Sequence, residues 1–294
     1  MNSKSVNLSP GLYLVSTPIG SARDITLRAM DILASADVLA AEDTRTLRKL
    51  MEIHGIPLGD RQIFAYHDHN GAQMRPRLLD LLAQGRSLAY ASEAGTPMVA
   101  DPGFDLARAA REAGFAVTAA PGASAVITAL TVGGLPTDRF FFAGFLPNSA
   151  SQRKTALRGY ADIPGTLVFY ESPKRIGAML RDCAEVLGED RKAALCRELT
   201  KKFEEVISGT LRELGDICAT RSLKGEIVVL IERKSSENVR ESDVELMLAE
   251  ALKEKSVRDA ADIVAARTGL ARRQVYQMAL KLEQERSRKN DTSL

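Results

Sequence analysis

Cysteine is scarce in this chain, and its scarcity excludes several kinds of site. The three residues, Cys183, Cys196 and Cys218, lie far apart, and no C-x-x-C pair occurs. Neither a disulfide framework nor a cysteine-ligated zinc site is therefore indicated. We interpret all three as buried thiols in a reducing compartment.

Long apolar runs and a strong net charge are lacking as well. The first residues, MNSKSVNLSP, contain no apolar segment of the signal-peptide type, and no run approaches the length that spans a bilayer. We therefore expect a cytoplasmic protein. The net charge is only +2, so any basic surface for nucleic acid must be local.

Several nucleotide and nucleophile motifs are also missing. No G-x-G-x-x-G follows the first apolar run, and neither G-x-x-x-x-G-K-[ST] nor G-x-S-x-G occurs. Their absence argues against a dinucleotide-binding enzyme, a P-loop enzyme and a hydrolase with a nucleophile elbow.

Apolar runs alternate with amphipathic stretches over most of the 294 residues. Between Gly11 and Pro121 this alternation predicts β-α-β units and a mostly parallel sheet. Further on, EEVISGT directly follows AALCRELTK, which favours antiparallel neighbours and a mixed sheet. The sequence predicts an α/β fold with an N-terminal α/β domain (1–121), a second α/β domain (122–234) and a helical C-terminal unit (239–294).

After the polar linker KSSEN, the sequence predicts only helices, and capping patterns mark the starts of two of them. Ser242 with Glu245, and Ser256 with Asp259, have the spacing of capping boxes. A third helix is predicted from Arg272 to Glu285. The last two helices, joined by T-G-L-A, are similar to a helix-turn-helix.

Three glycine turns each follow a predicted strand in the first half of the chain: Thr17–Gly20, Glu93–Pro97 and Pro121–Ser124. In open α/β sheets, ligands bind beyond the carboxyl ends of the strands. Glycine lets backbone approach a ligand closely, and a following helix N-terminus supplies free N–H groups. One such turn is an ordinary connector, but three at successive strand ends favour a binding site.

Nine blocks in a fixed order carry a more specific signal. They are LYLVSTPIGSARDITLRAMDIL, AAEDTR, FAYHDHN, ASEAGTPMVADPG, PGASAVITAL, GLPTDRFFFAGFLP, FYESPKR, RELTK and KGEIVVLI. From about Leu12 to Glu232 the chain resembles the ribosomal RNA small-subunit methyltransferase I group of the tetrapyrrole methylase superfamily. The helical tail resembles that group's C-terminal extension.

The resemblance implies a homodimer whose two α/β domains bind S-adenosyl-L-methionine in the cleft between them. It also implies 2′-O-methylation of a cytidine ribose in the decoding region of 16S rRNA, in the small ribosomal subunit. The cofactor-binding residues that it implies are Pro18, Gly20, Gly95, Thr96, Pro97, Val99, Gly122, Ala123 and Ser124 from the three turns, and Tyr170, Leu199 and Gly225 from the second domain.

The chain departs from the group's usual pattern at three positions. Glu93 stands where aspartate is usual, Ser21 where asparagine is usual and Lys174 where histidine is usual. The first change leaves open what the carboxylate does, because glutamate carries the same charge one methylene further out.

Two polar clusters at strand ends admit two interpretations each. Glu42-Asp43-Thr44-Arg45 is either a solvated loop or an active-site rim whose arginine meets an RNA phosphate. His67 and His69 have a spacing that could bind a metal, but no third ligand stands at a familiar distance. We therefore favour a polar wall of the substrate cleft and expect no metal.

Local basic residues are the candidates for RNA contact. Arg153, Lys154 and Arg158 form either a solvated helix face or a phosphate-positioning surface. From Arg267 onward basic residues outnumber acidic ones, so the tail is either an RNA-binding or a packing appendage. The candidate RNA-binding residues are Arg23, Arg45, His67, His69, Arg153, Lys154, Arg272 and Arg273.

No Ser–His–Asp-like set identifies a general base for the reaction. Because methyl transfer is an in-line displacement, we expect alignment to dominate catalysis. Glu93, Glu226 or Lys201 would assist the ribose hydroxyl. Two rival functions remain open: a methyltransferase acting on a tetrapyrrole or another small molecule, and a non-catalytic RNA-binding protein of ribosome assembly.

Overall fold

The computed structural model describes residues 3–101, 103–234, 241–268 and 270–291. They form two compact units. The first runs to Val132 and also takes Cys196–Glu205, and the second comprises Gly133–Leu195 and the chain from Val206 onward. Within the described ranges, no helix is both long and apolar enough to cross a membrane.

A parallel five-stranded sheet forms the centre of the first unit. Its strands are β1 (Gly11–Val15), β2 (Val38–Ala41), β3 (Ile63–Ala65), β4 (Ser87–Ala91) and β5 (Val117–Ala120), in the order β3-β2-β4-β1-β5. Every neighbouring pair runs parallel, which confirms the predicted sheet. The helices are α1 (Leu27–Ser35), α2 (Thr44–Ile53), α3 (Gly71–Ala83), α4 (Phe104–Glu112) and α5 (Ala125–Val132).

Both faces of this sheet are buried, which explains why its strands are apolar almost throughout. Val15, Leu39 and Ala91 belong to the core on one face, and Leu14 and Tyr90 belong to the core on the other. Helices cover both faces of the sheet, so polar side chains lie mainly at the ends of the strands.

The first helix follows β1 after a short turn. Ala22–Asp24 form a 3-10 turn, and the side chain of Thr26 accepts a hydrogen bond from the amide of Ala29. Thr26 therefore caps α1, which starts at Leu27.

The second sheet is mixed, as the sequence predicts. Its strands are β6 (Phe140–Phe145), β7 (Thr166–Glu171), β8 (Lys192–Arg197), β9 (Glu205–Thr210) and β10 (Ile227–Ile231), in the order β6-β7-β10-β8-β9. Strand β6 runs parallel to β7, whereas β10 runs antiparallel to β7. The accompanying helices are α6 (Ala150–Tyr160), α7 (Ile176–Leu187) and α8 (Leu211–Thr220).

Three C-terminal helices pack on one another around a small core of their own. They are α9 (Glu241–Ala251), α10 (Val257–Thr268) and α11 (Arg272–Asp291). The core residues include Val244, Leu248, Ala260, Val264, Val275 and Ala279. The tail is therefore helical, as predicted, with a last helix that extends beyond Glu285.

The two predicted helix starts in the tail differ in outcome. Ser256 Oγ accepts a hydrogen bond from the amide of Asp259 at 3.2 Å, so Ser256 caps α10 as predicted. Ser242 instead lies inside α9, which begins at Glu241. The Ser242 side chain, residues 235–238 of the predicted linker and Gly269 lie outside the described residues.

Candidate functional site

The three glycine turns of the first unit meet in space. Thr17 and Gly95 exchange two backbone hydrogen bonds, of 3.0 and 3.1 Å. The Thr96 hydroxyl donates to the carbonyl of Ala123 at 2.9 Å. The turns follow β1, β4 and β5, which are neighbours in the sheet. The structure thus brings together the three turns, in which lie most of the residues that the resemblance assigns to the cofactor.

Glycine is required at these turns because other groups approach the backbone closely. A Cβ atom at Gly122 would lie 2.7 Å from Cβ of Ser16, and one at Gly20 would lie 2.6 Å from the Thr200 hydroxyl. Both distances are shorter than side chains tolerate. Gly95 has φ 87°, a conformation that glycine adopts readily.

The loop between β8 and β9, residues 198–204, belongs with the first unit. The amide of Ser21 donates to the Thr200 hydroxyl at 3.1 Å, and Lys201 pairs with Glu198 at 2.9 Å. Buried Leu199 was assigned to the second domain by the sequence. The structure corrects that assignment, because these contacts attach the 198–204 loop to the turn after β1.

Left-handed backbone marks two loops of this unit. Among the described residues, the non-glycine positions with positive φ are Met98, Ala100, Glu198 and Thr200, at 69°, 57°, 53° and 64°. Such a conformation costs roughly 1–2 kcal/mol per residue. Strained positions of this kind persist where the surroundings hold them, and they gather at functional sites.

Asp101 holds the strained segment that follows the Glu93–Pro97 turn. Its Oδ1 accepts hydrogen bonds from the amide of Met98 at 3.2 Å, the amide of Gly103 at 2.8 Å and the hydroxyl of Tyr90 at 3.0 Å. Burial raises the pKa of Tyr90, and the neighbouring Asp101 raises it further. Tyr90 therefore stays protonated and donates its hydrogen bond to Asp101.

Glu42 lies beside Asp101 at the end of β2. Burial raises the pKa of Glu42, and the charges of Asp101 and Glu93 raise it further. Glu42 is partly buried and Glu93 is exposed. Because its side chain is partly buried, Glu42 suits an active-site rim better than a solvated loop.

Asp43 and Arg45 form the outer part of the same cluster. Asp43 caps α2 by accepting from the amides of Arg45 and Thr46, and its carboxylate pairs with the Arg45 guanidinium at 3.0 Å. These contacts with Arg45 lower the pKa of Asp43 to about 2. The Arg45 side chain is 90% exposed, so its outer face is open to an anion.

His67 and His69 follow β3, with their ring centroids 6.0 Å apart. The ring Nδ1 of His67 is buried without a hydrogen-bond partner. Across the part of the chain that the structure describes, no group of three histidine, cysteine or acidic side chains is arranged to hold a metal ion.

Three further candidates lie together at one edge of the second sheet. Tyr170 is the penultimate residue of β7 and lies opposite Val228 of the antiparallel β10, and its ring packs against that of Phe142 with centroids 4.8 Å apart. Gly225 and Glu226 directly precede β10, so they lie at the same edge as Tyr170.

The basic candidates differ in how exposed they are. Arg23, Arg272 and Arg273 are exposed, although Arg272 pairs with Asp262. Lys154 pairs with Glu185 at 2.6 Å.

Arg153 is buried, with an exposed fraction of 5%. It pairs with Asp182 at 2.5 Å and donates to the carbonyls of Pro147 and Asn148. This arrangement leaves its guanidinium no free face for a phosphate.

Family models match both parts of the chain. The model described as Tetrapyrrole (Corrin/Porphyrin) Methylases matches residues 11–215, and the RsmI C-terminal HTH domain matches residues 239–283. A ribosomal RNA small subunit methyltransferase I from Mesorhizobium japonicum is 45% identical over 94% of this chain and 93% of its own length. The chain belongs to the ribosomal RNA small subunit methyltransferase I family.

Other members of the methyltransferase I family match at similar levels. The Haemophilus influenzae protein of that name is 42% identical over 92% of this chain and 96% of its own length. The Escherichia coli O157:H7 protein is 41% identical over 92% of this chain and 94% of its own length.

Solved structures share the fold of this chain at low identity. Diphthine synthase superposes with a TM-score of 0.60 at 16% identity, covering 76% of this chain and 90% of that one. A uroporphyrin-III C-methyltransferase from Thermus thermophilus, complexed with S-adenosyl homocysteine, superposes with a TM-score of 0.53 at 19% identity, covering 76% of this chain and 97% of that one. These structures confirm the two-domain α/β fold.

Two residues that organise the candidate site were missed as candidates in the sequence. Asp101 lies in the block ASEAGTPMVADPG, and Thr200 lies in RELTK. The blocks themselves were a signal for both residues. Their roles depend on hydrogen bonds to segments remote in sequence, which no local pattern reveals.

Proposed function

We propose that the chain transfers a methyl group from S-adenosyl-L-methionine to the 2′-hydroxyl of a cytidine ribose in 16S rRNA of the small ribosomal subunit. The convergence of the Thr17, Gly95 and Ala123 turns supports the cofactor. Relatives named ribosomal RNA small subunit methyltransferase I support the substrate class.

The donor groups of the first unit fit this cofactor. The three turns offer backbone amides and carbonyls, and the start of α5 after Ser124 adds the N–H groups of a helix N-terminus, which suit a carboxylate. When bound, S-adenosyl-L-methionine supplies a methyl group that its sulfonium activates. The residues proposed to bind the cofactor are the nine candidates from the three turns, Leu199, Tyr170 and Gly225.

The chain's own residues must align the ribose hydroxyl and accept its proton. Alignment in a water-poor site lowers the barrier to an in-line displacement. Glu93 follows β4 and Glu226 precedes β10, so each carboxylate lies at a strand end near candidate cofactor residues. Each is a candidate to accept the proton. Lys201 is paired with Glu198, so it would act as a nearby cation.

Single alanine substitutions of Glu93, Lys201 and Glu226 test these assignments. We expect at least one to reduce kcat on native small subunits about a hundredfold, the usual contribution of a positioned acid or base. Cofactor affinity, measured by calorimetry, should stay unchanged in that variant. Normal turnover in all three would refute the assignments.

The proposed RNA contacts are Arg23, Arg45, His67, His69, Lys154, Arg272 and Arg273. Arg153 is left out because it is buried in an ion pair. If these residues contact phosphates, the affinity for small subunits should fall steeply as the salt concentration rises. The affinity for a small acceptor molecule would depend little on salt. The homodimer and the cytoplasmic location remain predictions, and light scattering of the purified protein measures the former.

The decisive experiment transfers labelled methyl groups to purified small subunits from a strain that lacks this protein. Nucleoside analysis should recover the label in 2′-O-methylcytidine. G122A is the matched negative variant, because its new Cβ would meet Ser16, and G159A is the control, because nothing lies within 4 Å of a Cβ there. If the wild-type protein binds the cofactor but leaves the RNA unlabelled, a small-molecule acceptor is favoured. If the wild-type protein does not bind S-adenosyl-L-methionine, a role in ribosome assembly is favoured.

A further inference from the structure

The 198–204 loop is fixed on the side that faces the turn after β1. Thr200 accepts from Ser21 through its hydroxyl and donates its amide to the Glu204 carboxylate at 2.5 Å. Glu198 and Thr200 hold left-handed backbone conformations. The contacts of Thr200 with Ser21 and Glu204 constrain this left-handed backbone, which favours a defined direction for the remaining side chains of the loop.

Phe203 and Lys202 are the side chains that this loop presents to solvent. Phe203 is 63% exposed, and the Lys202 ammonium lies 5.6 Å from the centre of its ring. No ion pair with a described residue holds Lys202. An aromatic ring and a cation therefore stand together on this constrained loop beside a turn that we assign to the cofactor.

We propose that Phe203 is a stacking platform for an unpaired nucleobase of the RNA substrate, with Lys202 against the adjoining phosphate. The inference rests on the proposed RNA substrate. Single-stranded RNA is recognised by stacking of splayed bases on aromatic rings, and each base has a face that can stack. A rigid ring loses little conformational freedom when the base binds, which favours affinity.

A second copy of the chain is the other possible occupant of this surface. Lysine is depleted from the centres of protein interfaces, whereas a cation beside an aromatic ring matches the mixed charge and π-surface of a nucleotide. The charge at Lys202 therefore favours RNA as the occupant.

The test compares F203A, F203L and F203W in methylation of native small subunits. Loss of one stacked base should raise the KM for subunits about tenfold in F203A. F203L should resemble F203A because leucine keeps apolar area without a π-face, and F203W should restore the wild-type KM. We expect kcat within about twofold of wild type and unchanged cofactor affinity, because the ring contributes to binding rather than to chemistry.

I53A is the matched control for loss of exposed apolar surface. Ile53 is 55% exposed and ends α2. Ile53 is not among the residues proposed to contact the cofactor or the RNA. I53A should leave the KM for subunits unchanged.

Three results would overturn the stacking role and leave the proposed function intact. The KM could stay normal in F203A, or F203L could perform as well as wild type. F203A could instead change the oligomeric state in light scattering, which would assign the surface to a second copy. Failure of wild-type protein to label RNA would refute the proposed function itself, and the stacking role with it.

Lys202 has a test of its own. K202A should reduce the salt dependence of subunit binding by about one unit of slope, the contribution of a single phosphate contact. K202R should keep the wild-type slope because it keeps the charge. If the salt dependence of K202A equals that of the wild type, Lys202 does not contact a phosphate.

Discussion

Single side chains determine the shape of the segment between β4 and α4. One carboxylate oxygen of Asp101 accepts hydrogen bonds from the Met98 amide, the Gly103 amide and the Tyr90 hydroxyl. A Cβ at Gly103 would lie 2.8 Å from that oxygen, so no larger residue fits there. These contacts offset the strain at Met98 and Ala100, and we infer that Asp101 positions the cofactor turn without touching the cofactor.

Removal of the Tyr90 hydroxyl should therefore weaken cofactor binding. One hydrogen bond contributes about 1 kcal/mol, so we expect Y90F to raise the Kd for S-adenosyl-L-methionine about fivefold in calorimetry. At saturating cofactor, kcat should be unchanged. Y66F is the control because Tyr66 packs edge-on against the Tyr90 ring, at 5.8 Å, and has no described bond to Asp101. Equal affinities in the two variants would refute the positioning role.

A buried ion pair joins two neighbouring elements, α6 and α7. Arg153 on α6 meets Asp182 on α7, and their side chains are 6% and 11% exposed. Removing one member of such a pair leaves the other charged and buried, which costs more than the pair itself contributes. The role of Arg153 is therefore to hold the two helices together.

R153M should lower the free energy of unfolding by about 3 kcal/mol because Asp182 loses its nearer, buried partner and keeps only the longer pair with Lys154. The double variant R153M/D182L should recover most of that loss. K154M should cost less than about 1 kcal/mol, since the nearer partner of Lys154, Glu185, is well exposed and its second pair, with Asp182, is the longer one at 3.7 Å. Urea denaturation measures all three. A stable R153M with weakened subunit binding would instead restore the RNA-contact interpretation.

At the scale of the whole molecule, the chain combines α/β units with a tail that has its own core. The core of α9, α10 and α11 includes Val244, Leu248 and Val264, and the matched HTH model covers residues 239–283. In a helix-turn-helix the residues at the start of the second helix reach the nucleic acid. Arg273 occupies that position in α11 and is exposed.

Replacement of Arg273 tests whether the tail contacts the RNA. R273A should weaken binding to small subunits and reduce the salt slope by about one, since one phosphate contact is lost. R273K should keep the slope because it keeps the charge. Cofactor affinity should be unchanged in both. A wild-type slope in R273A would favour the alternative in which the tail is a packing appendage.

The sequence determined by itself the parts of this protein that depend on local patterns. The mostly parallel sheet predicted between Gly11 and Pro121 is observed as β1 to β5, and the mixed sheet and helical tail predicted after it are observed as well. Apolar periodicity and turn residues act over a few positions, so they can be read without the fold. The ordered blocks were also sufficient to identify the family.

Only the tertiary structure decided which remote segments meet. Arg153 looked like a solvated basic residue until α7 brought Asp182 to it. Leu199 looked like part of the second domain until Thr200 bound Ser21. Asp101 gained its role only when Tyr90 and Met98 were placed beside it. These pairings follow from chain topology and burial, and because their partners are distant in sequence, no local pattern encodes them.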